Sequence, residues 1–152
     1  MLTEEEIVRK IASLEREIRS IPRPEIYNAT GGGLVATINF IIDGGGAEIT
    51  TGIKGDIVVD FTCTILRVTM LADQAGSIVV DIWNEAYADF PPTDADSITA
   101  AAPPTIAAAT KSQDTTLTDW TTTISPGDVL RFNVDSVTDI ERVTVSLRVA
   151  RG

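Results

Sequence analysis

Residues 3 to 21, TEEEIVRKIASLEREIRSI, place apolar side chains at Ile7, Ile11, Leu14, Ile18 and Ile21. The steps between them are four, three, four and three. This is a heptad alternation, with Ile7, Leu14 and Ile21 at d and Ile11 and Ile18 at a. A stripe this narrow cannot be satisfied by one helix alone; it needs copies of itself or a groove in a partner. Isoleucine at both a and d favours three or more strands over two. Lys10 falls at g and Glu15 at the following e, so a parallel bundle can pair them between chains. The segment is therefore expected to form a trimeric coiled coil, making the protein a homotrimer.

Both ends of the expected helix are marked. Thr3 and Glu6 have capping-box spacing, and Leu2 and Ile7 are placed for a hydrophobic staple. Pro22 and Pro24 stop the helix. Nineteen residues make a rod of roughly 28 Å. Three heptads are marginal in isolation, so the rest of the chain or a larger assembly must add contacts. The alternative is an amphipathic helix folded back on its own domain, and the stiff Pro-Arg-Pro exit argues against it.

From residue 34 the hydrophobic period changes from 3.5 to 2. Residues 22–33, PRPEIYNATGGG, read as a linker, stiff at its prolines and loose at its glycines. The expected organisation is thus 1–21 helix, 22–33 linker and 34–152 β-domain. Ile38, Phe40 and Ile42 share one face of a first strand, and GGG at 44–46 makes a turn. GDIVVDFTCTILRVTMLA gives one or two strands, with Leu66, Val68 and Met70 inward and Arg67 and Thr69 outward. A turn is expected at Asp73–Gly76. In SIVVDIWNE, Ile78, Val80 and Ile82 face one way, Asp81 and Trp83 the other.

Residues 86–127 hold five of the seven prolines and little periodicity. They read as long loops, with short strands near Ser97–Ala100 and Leu117–Ile124. The last two strands are the clearest. Leu130, Phe132 and Val134 alternate with Arg131, Asn133 and Asp135; Val143, Val145, Leu147 and Val149 alternate with Thr144, Ser146 and Arg148. Alternation of this kind means sheets buried on one face and wet on the other. Seven or eight such strands with no second helix predict a mainly β fold, a β-sandwich of jelly-roll type.

Composition narrows the function. The 152 residues carry a net charge of −10 and no histidine. Sixteen acids and seven bases lie beyond residue 25, giving that part −9. Such a surface suits neither nucleic acid nor an anionic membrane. No apolar run is long enough to span a bilayer, and MLTEEE is acidic where a secretion signal would be basic and then apolar. The absence of histidine removes the commonest general base and the commonest transition-metal ligand. The single cysteine, Cys63, excludes an intrachain disulfide framework and reads as a buried small hydrophobe. The GGG runs lack the Gly-Lys-Ser/Thr and the helix of a phosphate loop. Ser77, Ser97 and Ser125 have no base to activate them. No catalytic residue, cofactor or resident metal is therefore expected, and the chain is read as a non-enzyme.

Two binding features are candidates. Asp94 with Asp96, and Asp114 with Asp119, offer hard oxygen ligands in loops, as calcium requires. The rings of Trp83, Tyr87, Phe90 and Trp120 have the chemistry of a sugar platform; the alternative is that they plug a sandwich edge or fill a subunit interface.

From about residue 38 the sequence resembles a β-domain that recurs in structural proteins of tailed bacteriophages. The resemblance is carried by INFIIDGGGAEITTGIKGDIVVDFTCTILRVTMLADQAGSIVVDIW, by ADSI with PPTIAAATKSQDTTLTDW, and by ISPGDVLRFNVDS. It covers nearly the whole β portion. The domain usually ends longer fibre, tail or other virion proteins, and it implies no catalytic residues. Here only a short helix precedes it, so the resemblance implies a small knob decorating a phage head or tail. The expected function is that of a virion structural protein: a homotrimeric capsid decoration or head-fibre knob attached to other virion proteins. The alternative is a tail-fibre or tail-tip module that recognises host surface glycan.

Overall fold

A computed structural model describes residues 1–20 and 34–152. The chain divides into two compact units, Met1–Gly33 and Leu34–Gly152.

In the first unit, α1 spans Glu4–Ser20. Its start is set by a reciprocal cap. The Thr3 N–H donates to Glu6 Oε2 at 2.7 Å and the Glu6 N–H donates to Thr3 Oγ1 at 3.3 Å. Two of the donors that a helix start leaves unpaired are satisfied in this way. Three glutamates in the first turn and Arg19 in the last complement the helix dipole. Ile21, the last heptad position, and the 22–33 linker lie outside the described residues.

The second unit is mainly β: a seven-stranded antiparallel sheet that curls on itself. Its strands are β1 (Val35–Asp43), β2 (Gly52–Val59), β3 (Cys63–Ala86), β4 (Thr105–Asp114), β5 (Thr123–Ile124), β6 (Asp128–Thr138) and β7 (Arg142–Arg151). The sheet is organised by β3, which is 24 residues long. Its first half, to Ala72, pairs with β7, and β7 pairs with β1. Its second half, from Ser77, pairs with β6, and β6 pairs with β2. On its other edge, β4 runs antiparallel to parts of both halves. One strand thus belongs to two arms, with its bend between Leu71 and Ser77.

This bend replaces the turn expected at Asp73–Gly76. The segment is polar, yet the strand runs through it while the ladder register shifts between Leu71 and Gly76. Gly76 is needed there. A Cβ on it would sit 2.4 Å from the Thr138 carbonyl oxygen and 2.7 Å from Ile140 Cγ1. No other residue lets the two backbones approach so closely.

The arms close face to face. The Phe40 ring on β1 stacks on the Phe132 ring on β6, with centroids 4.2 Å apart and planes within 3°. Gly55 on β2 leaves room for the same Phe40 ring, which a Cβ would meet at 3.0 Å. Between the arms lies one core, built from Ile65, Val68 and Met70, from Ile78, Val80 and Ile82, and from the inward residues of β6 and β7. The alternation read in β6 and β7 is present residue by residue.

Two further expectations are corrected. Leu66 is exposed, not inward, because the β3–β7 register shifts between Ile65 and Arg67. A bulge adds one residue and resets which side chains face the core. The region 86–127 also contains a ten-residue strand, β4, where loops were expected. Ser97 makes only an isolated bridge to Trp83, and β5 is two residues long.

Candidate functional site

Three surfaces carry side chains whose placement has consequences for binding. On α1, no residue is buried. The described heptad positions Ile7, Ile11, Leu14 and Ile18 are 44%, 52%, 51% and 65% exposed. The helix thus carries a row of large aliphatic side chains in water. Polar contacts within the helix are few and weak. The Glu5–Arg9 pair is at 4.0 Å and highly exposed, where such pairs contribute little.

The second surface is the outer side of the β3–β6 arm. Asp81 sits there, buried. Its Oδ1 accepts from the Ile82 N–H at 2.7 Å, from Ser97 Oγ at 2.8 Å and from Thr99 Oγ1 at 2.5 Å. Its Oδ2 accepts from Trp83 Nε1 at 2.7 Å. A buried carboxylate requires this many donors to be tolerated. The result pins the segment 97–99 beside β3. Backbone bonds complete the attachment, Ile98 N–H to Ile82 O at 2.9 Å and Thr121 N–H to Ile98 O at 2.9 Å. Ahead of it, residues 87–96 fold over Arg131. That guanidinium is bidentate to Asp56, at 2.7 and 3.0 Å, and donates to the Pro92 carbonyl at 3.1 Å. It also lies 5.3 Å from the centroid of the Phe90 ring.

This arrangement separates the four aromatic candidates. Trp83 and Trp120 are only 8% and 9% exposed, and Tyr87 and Phe90 are 76% and 48% exposed. Both indole N–H groups are already used, Trp83 by Asp81 and Trp120 by the Ala102 carbonyl at 2.9 Å. The expected four-ring platform is therefore not assembled at the surface. The tryptophans are internal fasteners of the long loops, and the exposed rings are those of Tyr87 and Phe90.

One aspartate of each acidic loop is committed to a local turn. Asp96 Oδ2 accepts from the Thr93 N–H and hydroxyl, both at 2.8 Å, and Asp114 Oδ1 accepts from the Thr116 N–H at 2.8 Å. The Thr93 N–H holds the Asp96 carboxyl below its ordinary value. Among the described residues no group of three His, Cys, Asp or Glu side chains is placed to hold a metal ion. Cys63 is buried, and burial pushes its thiol above the ordinary range. A neutral, enclosed thiol is a packing residue, not a nucleophile.

The third surface is the outer side of the β1–β7–β3 arm. Ile41 and Leu71 are exposed on it. Arg67 and Arg148 stand directly opposite each other across the β3–β7 ladder.

The importance of Asp81 was not read from the sequence. The signal was present: one acid inside the apolar run SIVVDIW, two residues before a tryptophan, with Ser97 and Thr99 downstream to serve as donors. Period-2 alternation alone assigns that acid to solvent.

Comparison of the chain with protein-family models, with curated proteins and with solved structures found no match in any of the three.

Proposed function

We propose that the protein is a virion structural protein of a tailed phage: a homotrimeric knob on a short helical stalk, decorating the capsid as a head fibre and performing no catalysis. The observation that carries this reading is the pairing of two unlike units. One is a capped helix whose described aliphatic heptad residues, Ile7, Ile11, Leu14 and Ile18, are exposed. The other is an acidic β unit with a core of its own.

In this reading the stripe of Ile7, Ile11, Leu14, Ile18 and Ile21 closes a parallel trimeric coiled coil, and the β unit is a jelly-roll knob facing outward. The strand pairing supports the jelly-roll assignment. β1 pairs with β7, β2 with β6, and β3 with β4 and β5. First with last and second with second-last is the order of a long hairpin wound up on itself. The negative charge of the knob would keep particles apart.

Light scattering on the full chain and on an Ile11→Asp/Ile18→Asp variant tests the stalk. A trimer that becomes a monomer in the variant supports it; a full chain that is monomeric at all concentrations refutes it. Antibody labelling of particles tests the location, and label on the head is expected.

A second reading is favoured by the exposed Tyr87 and Phe90 rings, namely a tail-tip module that grips host surface glycan. Label at the tail tip, with glycan binding lost in Tyr87→Ala, would select it.

A further inference from the structure

The outer face of the β1–β7–β3 arm differs from the rest of the acidic unit. Ladder register places its side chains in rows. One row runs Lys111, Leu71, Thr144, Ile41; the next runs Gln113, Thr69, Ser146, Asn39; the next runs Arg67, Arg148, Thr37. The Gln113 side chain confirms the alignment by donating to Thr69 Oγ1 at 2.9 Å. No carboxylate falls in these rows.

Seven bases lie in residues 34–152. Among the described residues Arg131 is paired with Asp56 and Arg142 with Asp43. Arg151 stacks on Phe61 and Lys54 bonds Thr50. The other three, Arg67, Lys111 and Arg148, share this one face and have no carboxylate partner among the described residues. Like charges directly opposite on a sheet repel, and the acids of this face, Asp43 and Asp73, stand three rows away and are taken up by Arg142. Arg67 Nε is buried and has no hydrogen-bond partner among the described residues. Around these cations Leu66, Leu71 and Ile41 are exposed. A cationic, aliphatic patch whose own arginines have no carboxylate beside them has the composition of an interface core awaiting an acidic, aromatic partner.

The same chain carries such a partner. The segment 85–94 presents Glu85, Asp89 and Asp94 together with the exposed Tyr87 and Phe90 rings. It folds over the outer side of the other arm, through Pro92 and Phe90 on Arg131. The two arms meet by their inner faces, so these two outer surfaces point away from each other. One copy cannot bring its own loop onto its own basic face.

We propose that the Arg67–Arg148 face docks the 85–94 loop of a second copy of this chain. The contact is heterologous: carboxylates of the loop meet the arginines, and its rings lie on the aliphatic side chains and guanidinium faces. Repeated head to tail, it closes into a ring when the rotation between copies allows. The inference deepens the knob-on-stalk reading by giving the knob an interface of its own, and it does not depend on the helix stripe.

The test is charge exchange in the full chain, read as the oligomer dissociation constant by sedimentation, with circular dichroism to confirm folding. Arg67→Glu/Arg148→Glu should weaken association on the order of tenfold or more, and Asp89→Arg/Asp94→Arg should do the same. The four substitutions together should restore it, because each loop then meets a face of opposite sign. Reversal without effect overturns the proposal, and so does a four-fold variant no better than either pair. The stalk is judged separately. If Ile11→Asp/Ile18→Asp leaves the assembly intact, the stalk reading fails while the loop contact stands. If charge reversal alone has no effect, the loop contact fails while the stalk stands.

Discussion

The two outer faces of the β unit are built from the same alternating strands but treat charge differently. On the β3–β6 arm the two central charges, Asp81 and Arg131, are answered within the chain. Asp81 has four donors, and Arg131 has Asp56, a carbonyl and an aromatic face. On the β1–β7–β3 arm Arg67 and Arg148 face each other with no carboxylate partner among the described residues. The first face is finished by a loop of its own chain and the second is left open. A satisfied polar network fixes local structure, and an unsatisfied one leaves binding capacity for something else.

The largest expected effect comes from breaking the finished face. Asp81→Ala strands the Trp83 N–H and the Ser97 and Thr99 hydroxyls in a buried site. It should lower the unfolding free energy by about 3 kcal/mol. Limited proteolysis should then cut first within residues 87–104. A urea midpoint unchanged from the parent would show that Asp81 does not hold the loop. Next in size is the bend that lets one strand serve both faces. Gly76→Ala forces a Cβ against the Thr138 carbonyl and Ile140, and should cost about 2 kcal/mol. A urea midpoint unchanged from the parent would show that the two backbones do not need the missing side chain there.

The legible parts of the fold are those where periodicity and burial coincide. β7 alternates along its length and β6 from Leu130 to Asp135, and the helix declares its cap at Thr3 and Glu6. What was not legible has identifiable causes. β4, TIAAATKSQD, buries only Ile106, so an edge strand of alanine and threonine gives no period-2 signal. The bulge at Leu66 shifts the facing of one residue without changing composition. The bend at 73–76 looks like a turn because its residues are polar, yet the strand continues since β4 flanks it on either side. The aromatic candidates divided because ring burial depends on segments distant in the chain, Ser97 bridging to Trp83 and the Ala102 carbonyl taking the Trp120 N–H, and the spacing of the rings does not encode those contacts.

The open face sharpens the comparison by responding in the opposite sense. In the Ile11→Asp/Ile18→Asp background, Arg67→Gln removes a repulsion across the β3–β7 ladder. It should leave the unfolding free energy of the β unit unchanged or raise it by about 0.5 kcal/mol. The same substitution in the full chain should weaken self-association. Loss of both folding stability and association would mean that Arg67 serves the fold and not the interface.

The smallest effect is a pH dependence with contributions of both signs. The Arg142 N–H holds the Asp73 carboxyl below its ordinary value, and the Thr93 N–H does the same for Asp96. Each therefore adds stability above the ordinary aspartate value of about 3.9, and that stability is lost as pH falls through the lowered folded value. Asp135 behaves in reverse. Burial raises its carboxyl, and the charges of Asp81 and Asp94 raise it further against the lowering bond from Asn133. Its folded form takes up a proton more readily than its unfolded form. The stability it gains is complete below the ordinary aspartate value and is lost as pH rises through the raised one. Asp135→Asn should therefore raise the urea midpoint slightly at pH 7, with the gain shrinking as pH falls through the acid range. Asp73→Asn and Asp96→Asn should lower the midpoint at pH 7 and converge on the parent only at the acid end. The two classes differ in sign because the Asp135 carboxylate is desolvated first and repelled by two acids second, whereas Asp73 and Asp96 each meet a backbone donor. A uniform sign across all three variants would remove the desolvation of Asp135 as the cause.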